Sequence, residues 1–129
     1  MPPIHQLQRV PQLLLERLEH QGVFTTGLLL EVSETPTRRI SLADQVGVTT
    51  NDVNAWRDEA LLLNLASFGP TEQRIFTQAG ILGLQGVLAL DPDTFRQRIS
   101  TAAYTLGLDT PSDLTIDGWY AQARTLEDE

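Results

Sequence analysis

Two stretches decide the fold: LQRVPQLLLERLEHQGV at residues 7–23 and LASFGPTEQRIFTQAGI at residues 65–81. They share one frame, with Leu7, Val10, Pro11, Leu18, Gly22 and Val23 opposite Leu65, Phe68, Gly69, Phe76, Gly80 and Ile81 at a constant offset of 58. Leucine is common enough in this chain for some such matches to arise by chance. A second alignment makes chance a poor account: Trp56, Ala60 and Leu63 fall opposite Trp119, Ala123 and Leu126 at an offset of 63, and these are the chain's two tryptophans. A few extra residues around Thr110-Pro111-Ser112-Asp113-Leu114 absorb the change of offset. Self-similarity of this kind marks a duplicated supersecondary unit. The expectation is two tandem helical repeats, residues 1–65 and 66–129, sharing one core in a single compact domain.

Local signals divide each repeat into short helices. Pro11 and Pro70 stand where the first turn of a helix tolerates a missing N–H, and Gly22 and Gly80 where a helix ends on a left-handed residue. Thr26 to Val32 and Leu84 to Leu90 read as brief apolar helices, closed by Glu34-Thr35-Pro36 and Asp91-Pro92-Asp93. Arg38 to Val46 spaces Ile40, Ala43 and Val46 by three, as one buried face requires, and stops at Gly47. Thr49, with Asp52 three residues on, predicts a capping box for a helix whose buried stripe is Val53, Trp56, Ala60 and Leu63. The second repeat follows with Thr94 to Leu106, Gly107 and a final helix near Ile116 to Leu126, leaving Glu127-Asp128-Glu129 as a frayed acidic tail. No stretch alternates apolar and polar residues with β-branched enrichment, so the fold reads as all-α.

Composition limits the function. At 129 residues and 41% hydrophobic, the chain can bury a real interior. Its 9 basic residues, all arginine, face 17 acidic ones, for a net charge of -8. Such a field repels polyanions and disfavours nucleic acid, whose binding rests on neutralised phosphates. Without cysteine there is no disulfide framework and no thiolate chemistry. The start, MPPIHQLQRV, lacks a signal peptide's charged and apolar regions, and no apolar run approaches the ~20 residues of a bilayer span. A cytoplasmic protein without a membrane span is expected.

At the repeated segments the chain resembles the helix-hairpin-helix superfamily, in which two short helices flank an apolar-Gly-apolar-Gly turn. The turn reads Leu7-Gln8-Arg9-Val10-Pro11 in the first copy and Leu65-Ala66-Ser67-Phe68-Gly69 in the second, and of the four expected glycines only Gly69 is present. In DNA-binding members those glycines let backbone amides approach a phosphate; Arg9, Pro11 and Ser67 stand in their place here. Over roughly residues 4 to 126 the whole arrangement is similar to an uncharacterised bacterial family of tandem degenerate helix-hairpin-helix units, rich in cyanobacterial members and carrying a domain-of-unknown-function label. That resemblance implies a fold and a lineage, and no activity. The stretch from Leu42 to Arg57 is also similar to a helix-turn-helix, with Ala43, Gly47 and Val53 at the spacing of two closely crossing helices. Its second helix carries Asp52, Asp58 and Glu59 against a single Arg57, which reads as a structural helix pair rather than a groove reader.

The remaining constellations have plain structural readings. His5 and His20 lack the spacing of a helical metal site and read as surface residues, and Glu16 with Glu19 as solvated charge. Gly80, Gly83 and Gly86 follow no strand and precede no lysine, so they form neither a dinucleotide fingerprint nor a phosphate loop. Arg38-Arg39 and Arg96 with Arg98 sit at corresponding helix starts, where they can clamp an acidic partner or phosphate or, more simply, pair with Glu34, Asp91 or Asp93. Trp56 and Trp119 belong to buried stripes, leaving Tyr120 as the expected exposed aromatic. Leu28-Leu29-Leu30 and Leu61-Leu62-Leu63 hold more apolar side chains than one helix face buries. The expectation is therefore a non-enzymatic protein–protein interaction module, an adaptor or assembly factor. It needs no cofactor and no metal, and it docks onto another protein or onto itself as a homodimer. The candidate partner or anion contacts are Arg9, Arg38, Arg39, Arg57, Arg96, Arg98 and Tyr120. The alternative is nucleic-acid binding through the degenerate hairpin or the helix-turn-helix-like element, using Arg9, Arg38, Arg39 and Arg57.

Overall fold

Left-handed glycines punctuate the chain. Gly22, Gly47, Gly80 and Gly107 hold φ of 83°, 76°, 79° and 69°, and each closes a helix just N-terminal to it. The amides after these glycines turn back on the helix, Val23 to the Leu18 carbonyl and Ile81 to the Phe76 carbonyl, both at 2.9 Å. The computed structural model describes residues 2–127, and within them it has eight α-helices and no strand. In order these are α1 (Gln12–His20), α2 (Thr26–Val32), α3 (Pro36–Val46), α4 (Thr50–Leu63), α5 (Pro70–Gln78), α6 (Leu84–Leu88), α7 (Pro92–Leu106) and α8 (Asp113–Glu127). The chain divides into two compact units between Asn64 and Leu65, each with four helices.

In the first unit α2, α3 and α4 pack on one another and α1 lies against α3. Ile4, Leu7, Leu18, Val23, Leu29, Val46, Val53, Trp56 and Ala60 are among its buried side chains. The segment before α1 is tied in by its backbone: the Ile4 amide donates to the Phe24 carbonyl (2.9 Å) and the Thr26 amide to the Pro2 carbonyl (3.0 Å). Thr49 caps α4 through the Asp52 amide (3.2 Å) while Asp52 accepts from the Thr49 amide (3.0 Å), the capping box that the spacing predicts.

In the second unit α5 packs on α7, and α8 on both α6 and α7. Its interior is aromatic. Phe76 meets Phe68, Trp119 and Phe95 edge-on at centroid distances of 4.8, 5.3 and 5.8 Å, geometry that aligns each ring's positive rim with a neighbour's negative face. Leu18, which stands 58 residues before Phe76, is equally buried in the first unit.

Several helix bounds differ from the sequence expectation. Pro36 and Pro92 open α3 and α7 instead of merely closing the preceding helices. Each occupies the first helical turn behind a capping residue, with the Arg38 amide bonded to Thr35 Oγ1 and the Thr94 amide to Asp91 Oδ1. α6 ends at Leu88, two residues early, and α8 begins at Asp113, with Ser112 Oγ accepting from the Thr115 amide. Ile40 is 60% exposed, not part of the α3 face. That face is Leu42, Ala43 and Val46, and at 100° per residue Ile40 lies roughly 110° from its centre. The leucine runs are also better covered than expected: Leu29, Leu62 and Leu63 are buried and Leu28, Leu30 and Leu61 half-buried. Of the acidic tail, Glu127 ends α8, and Asp128 and Glu129 lie outside the described residues.

Replacing Phe76 by Ala removes the ring on which Phe68, Phe95 and Trp119 converge, and is expected to destabilise the second unit by about 3–5 kcal/mol. Urea denaturation followed by Trp119 fluorescence in a Trp56→Phe background checks this, because each unit holds one tryptophan.

Candidate functional site

The turn Leu7-Gln8-Arg9-Val10 points two consecutive backbone amides at one carboxylate. The Gln8 amide donates to Glu59 Oε2 at 2.7 Å and the Arg9 amide to Glu59 Oε1 at 3.0 Å. Glu59 comes from the middle of α4 and is 3% exposed. Burial raises its pKa above the ordinary glutamate range. The two amides and the Arg9 charge pull it down, neighbouring Asp58 pushes it up, and burial is the largest of these effects. Arg9 itself is held at the rim by Asp58, Nη1 to Oδ2 at 2.9 Å.

The second unit repeats the arrangement with neutral chemistry. The Ala66 amide donates to Gln122 Oε1 at 3.0 Å, and Gln122 stands 63 residues after Glu59. Trp119 adds a bond from its indole Nε1 to the Ala66 carbonyl at 2.8 Å. Ser67 in this turn takes φ 59°, the one non-glycine residue with positive φ among those described. At both turns a backbone amide is bonded to a side chain of the unit's own last helix.

Most of the candidate arginines are likewise engaged within the chain. Arg57 Nη1 donates to the Leu30 carbonyl (3.0 Å) and Ser33 Oγ (2.8 Å), Arg39 Nε and Nη2 to the Ser33 (2.9 Å) and Glu34 (3.2 Å) carbonyls, and Arg38 Nη1 to the Glu31 carbonyl (3.2 Å). Three guanidinium groups thus gather the carbonyls at the C-terminal end of α2, where cations also complement the helix dipole. Crowding has a price in basicity: burial first, and the Arg39 charge second, lower the Arg57 pKa. Arg38 also approaches Glu34 at 3.7 Å. Arg96 forms a two-pronged pair with Asp117 (2.7 and 3.1 Å), which raises its pKa, and touches Asp93 at 3.4 Å. Arg98 differs. It is exposed, makes no ion pair among the described residues, and lines a groove of about 430 Å³ between α5 and α7 with Gln78, Thr94, Gln97 and Thr101.

Tyr120 is not the exposed aromatic expected from the sequence. It is half-buried, its hydroxyl donates to the Leu90 carbonyl at 2.8 Å, its ring lies 5.8 Å from Phe95, and Arg124 sits 6.0 Å over it. Tyr120 stands 63 residues after Arg57 and Leu90 60 after Leu30, so both side chains reach a carbonyl at the close of the short second helix. The exposed aromatics among the described residues are Tyr104, at 86%, and Phe24, at 55%. Trp56 and Trp119 are buried, as their stripes require.

His5 pairs with Glu19 at 2.7 Å on the surface, and His20 is exposed. Among the described residues no three His, Asp or Glu side chains gather as metal ligands. No helix there is long and apolar enough to cross a membrane.

A family model described as a domain of unknown function, DUF4332, matches residues 10–126, which takes in both units. The chain belongs to the DUF4332 family. No curated protein and no solved structure matches it. In this DUF4332 protein, the residue that sequence reasoning missed is Glu59, which reads there as one more surface carboxylate. The available signal was its place three residues after Trp56 and beside Ala60, inside the repeated frame and opposite an amide-bearing Gln122.

Glu59→Ala leaves two amides of the turn without their acceptor and is expected to cost roughly 1–3 kcal/mol. Glu59→Gln tests the charge separately. Because the folded-state pKa of Glu59 is raised, its contribution is complete below the unfolded value and is lost as pH rises through the folded one. Stability of the wild type relative to Glu59→Gln should therefore fall from acid toward neutral pH, as read from paired urea titrations.

Proposed function

We propose that this chain is a non-enzymatic protein–protein interaction module, an adaptor or assembly factor acting in the cytoplasm. The observation that carries the reading is a set of large apolar side chains left in solvent: Leu13, Phe24, Ile40, Leu82, Tyr104 and Leu114. Phe24 and Leu82 occupy matched positions, each two residues after a left-handed glycine and next to a buried Val23 or Ile81. Large aromatic and aliphatic groups that a fold leaves out of its core are the usual anchors of an interface. The two units read as descendants of a helix-hairpin-helix element in a bacterial lineage, supported by their common order of elements and by side chains of the last helix reaching the turn amides.

The nucleic-acid alternative draws on Arg9, Arg38, Arg39 and Arg57, and the internal bonds of all four weigh against it. A net charge of -8 adds to that weight. Fluorescence anisotropy with duplex and single-stranded probes is expected to give no binding at low salt; saturable binding that weakens steeply with salt would favour the alternative. For the leading reading, affinity purification of the tagged chain is expected to recover a stoichiometric protein partner or a dimer. That partner should be lost when the exposed apolar positions are made acidic. A strict monomer that retains nothing counts against it.

A further inference from the structure

The corner that joins α7 to α8 carries two apolar side chains with no structural task. Tyr104, in the last turn of α7, and Leu114, in the first turn of α8, are 86% and 85% exposed, the highest values among the chain's exposed large hydrophobic residues. The faces that pack the two helices are elsewhere: Phe95, Ile99, Ala102 and Ala103 on α7, Ile116, Trp119 and Ala123 on α8. The first unit builds the same corner from α3 and α4 around Gly47, which adopts the left-handed conformation of Gly107. There the corresponding positions hold Asp44 and Asn51, so the geometry of the corner does not call for apolar residues. The second unit's connection is also longer, Leu108 to Ser112 against Val48 and Thr49, which widens the exposed chain between the two anchors.

Charge specifies the occupant. Residues 99–123 contain Asp109, Asp113 and Asp117 and no Arg, Lys or His. Asp117 is held by Arg96, whose charge also reaches Asp113, and both Asp113 and Asp109, on the connection between the two helices, are exposed. A second copy of the chain, with a net charge of -8, brings like charge to this corner. A cationic segment brings the opposite charge, and its Lys or Arg groups can also lie over the Tyr104 ring. Resting on the interaction-module reading above, we infer that the α7–α8 corner docks a basic segment of another protein bearing aliphatic or aromatic side chains, with Tyr104 and Leu114 as anchors and Asp109 and Asp113 as charge partners.

The test titrates the ¹⁵N-labelled full chain with a synthetic amphipathic Lys/Leu peptide and with the same peptide carrying Glu for Lys. The expected result is amide shifts confined to the corner, weakened by salt and absent with the Glu peptide. The double variant Tyr104→Ser/Leu114→Asn, which removes both anchors without changing the charge and is checked for folding by its own amide spectrum, should bind about tenfold more weakly. Shifts located elsewhere, equal affinity in the double variant, equal binding of the Glu peptide, or concentration-dependent self-association through the corner each overturn the assignment. Partner capture that survives the double variant removes this site and leaves the interaction-module reading standing. A chain that captures no partner and binds neither peptide removes both.

Discussion

The carboxylate of Glu59 against the Gln8 and Arg9 amides is the constraint around which the first unit is arranged. A tight turn between buried residues leaves backbone donors pointing inward, and a donor buried without an acceptor costs roughly 1–3 kcal/mol. Glu59 resolves this from the last helix, so the start of the unit and its end are fixed to each other across 51 residues of sequence. Two residues earlier on the same helix, Arg57 bonds the Leu30 carbonyl and the Ser33 hydroxyl at the close of α2. Helix α4 thereby satisfies a group of donors on one side and a group of acceptors on the other, while its stripe of Val53, Trp56 and Ala60 fills the space between.

The second unit meets the same requirements with other chemistry. Gln122 replaces a charged acceptor by a neutral one, and Tyr120 replaces a guanidinium by a hydroxyl. Each substitution lowers the amount of charge that must be desolvated. The second unit also concentrates aromatic rings around Phe76, while the first gathers cations at the end of α2.

How much of this was legible depends on the range of the interaction. Helix ends were readable because their causes are local: Gly22, Gly47, Gly80 and Gly107 need only their own φ, and Thr49 needs only Asp52 three residues away. The tryptophan stripes were readable because helical periodicity is local too. Proline was half-readable, since Pro36 and Pro92 stop one helix and start the next, and the sequence alone favoured the stop. The arginines were misleading. A guanidinium that bonds a carbonyl 27 residues away, as Arg57 does, looks, in sequence, the same as one free to meet a phosphate. Glu59 and Tyr120 were hidden for the same reason. Exposure of single apolar residues such as Ile40 turned on the position of a helix face, which a spacing of three approximates poorly.

The division of labour among the arginines also bears on how the molecule can be handled chemically. A group that must reach two backbone oxygens from two different nitrogens, as Arg39 does, needs a planar fork, and an ammonium at the end of a flexible stem is a poor replacement. The chain meets all its needs for positive charge with guanidinium and contains no lysine. Its side chains therefore present no primary amine to acylating labels or cross-linkers, and its abundant carboxylates offer the alternative for attachment to a surface or a probe.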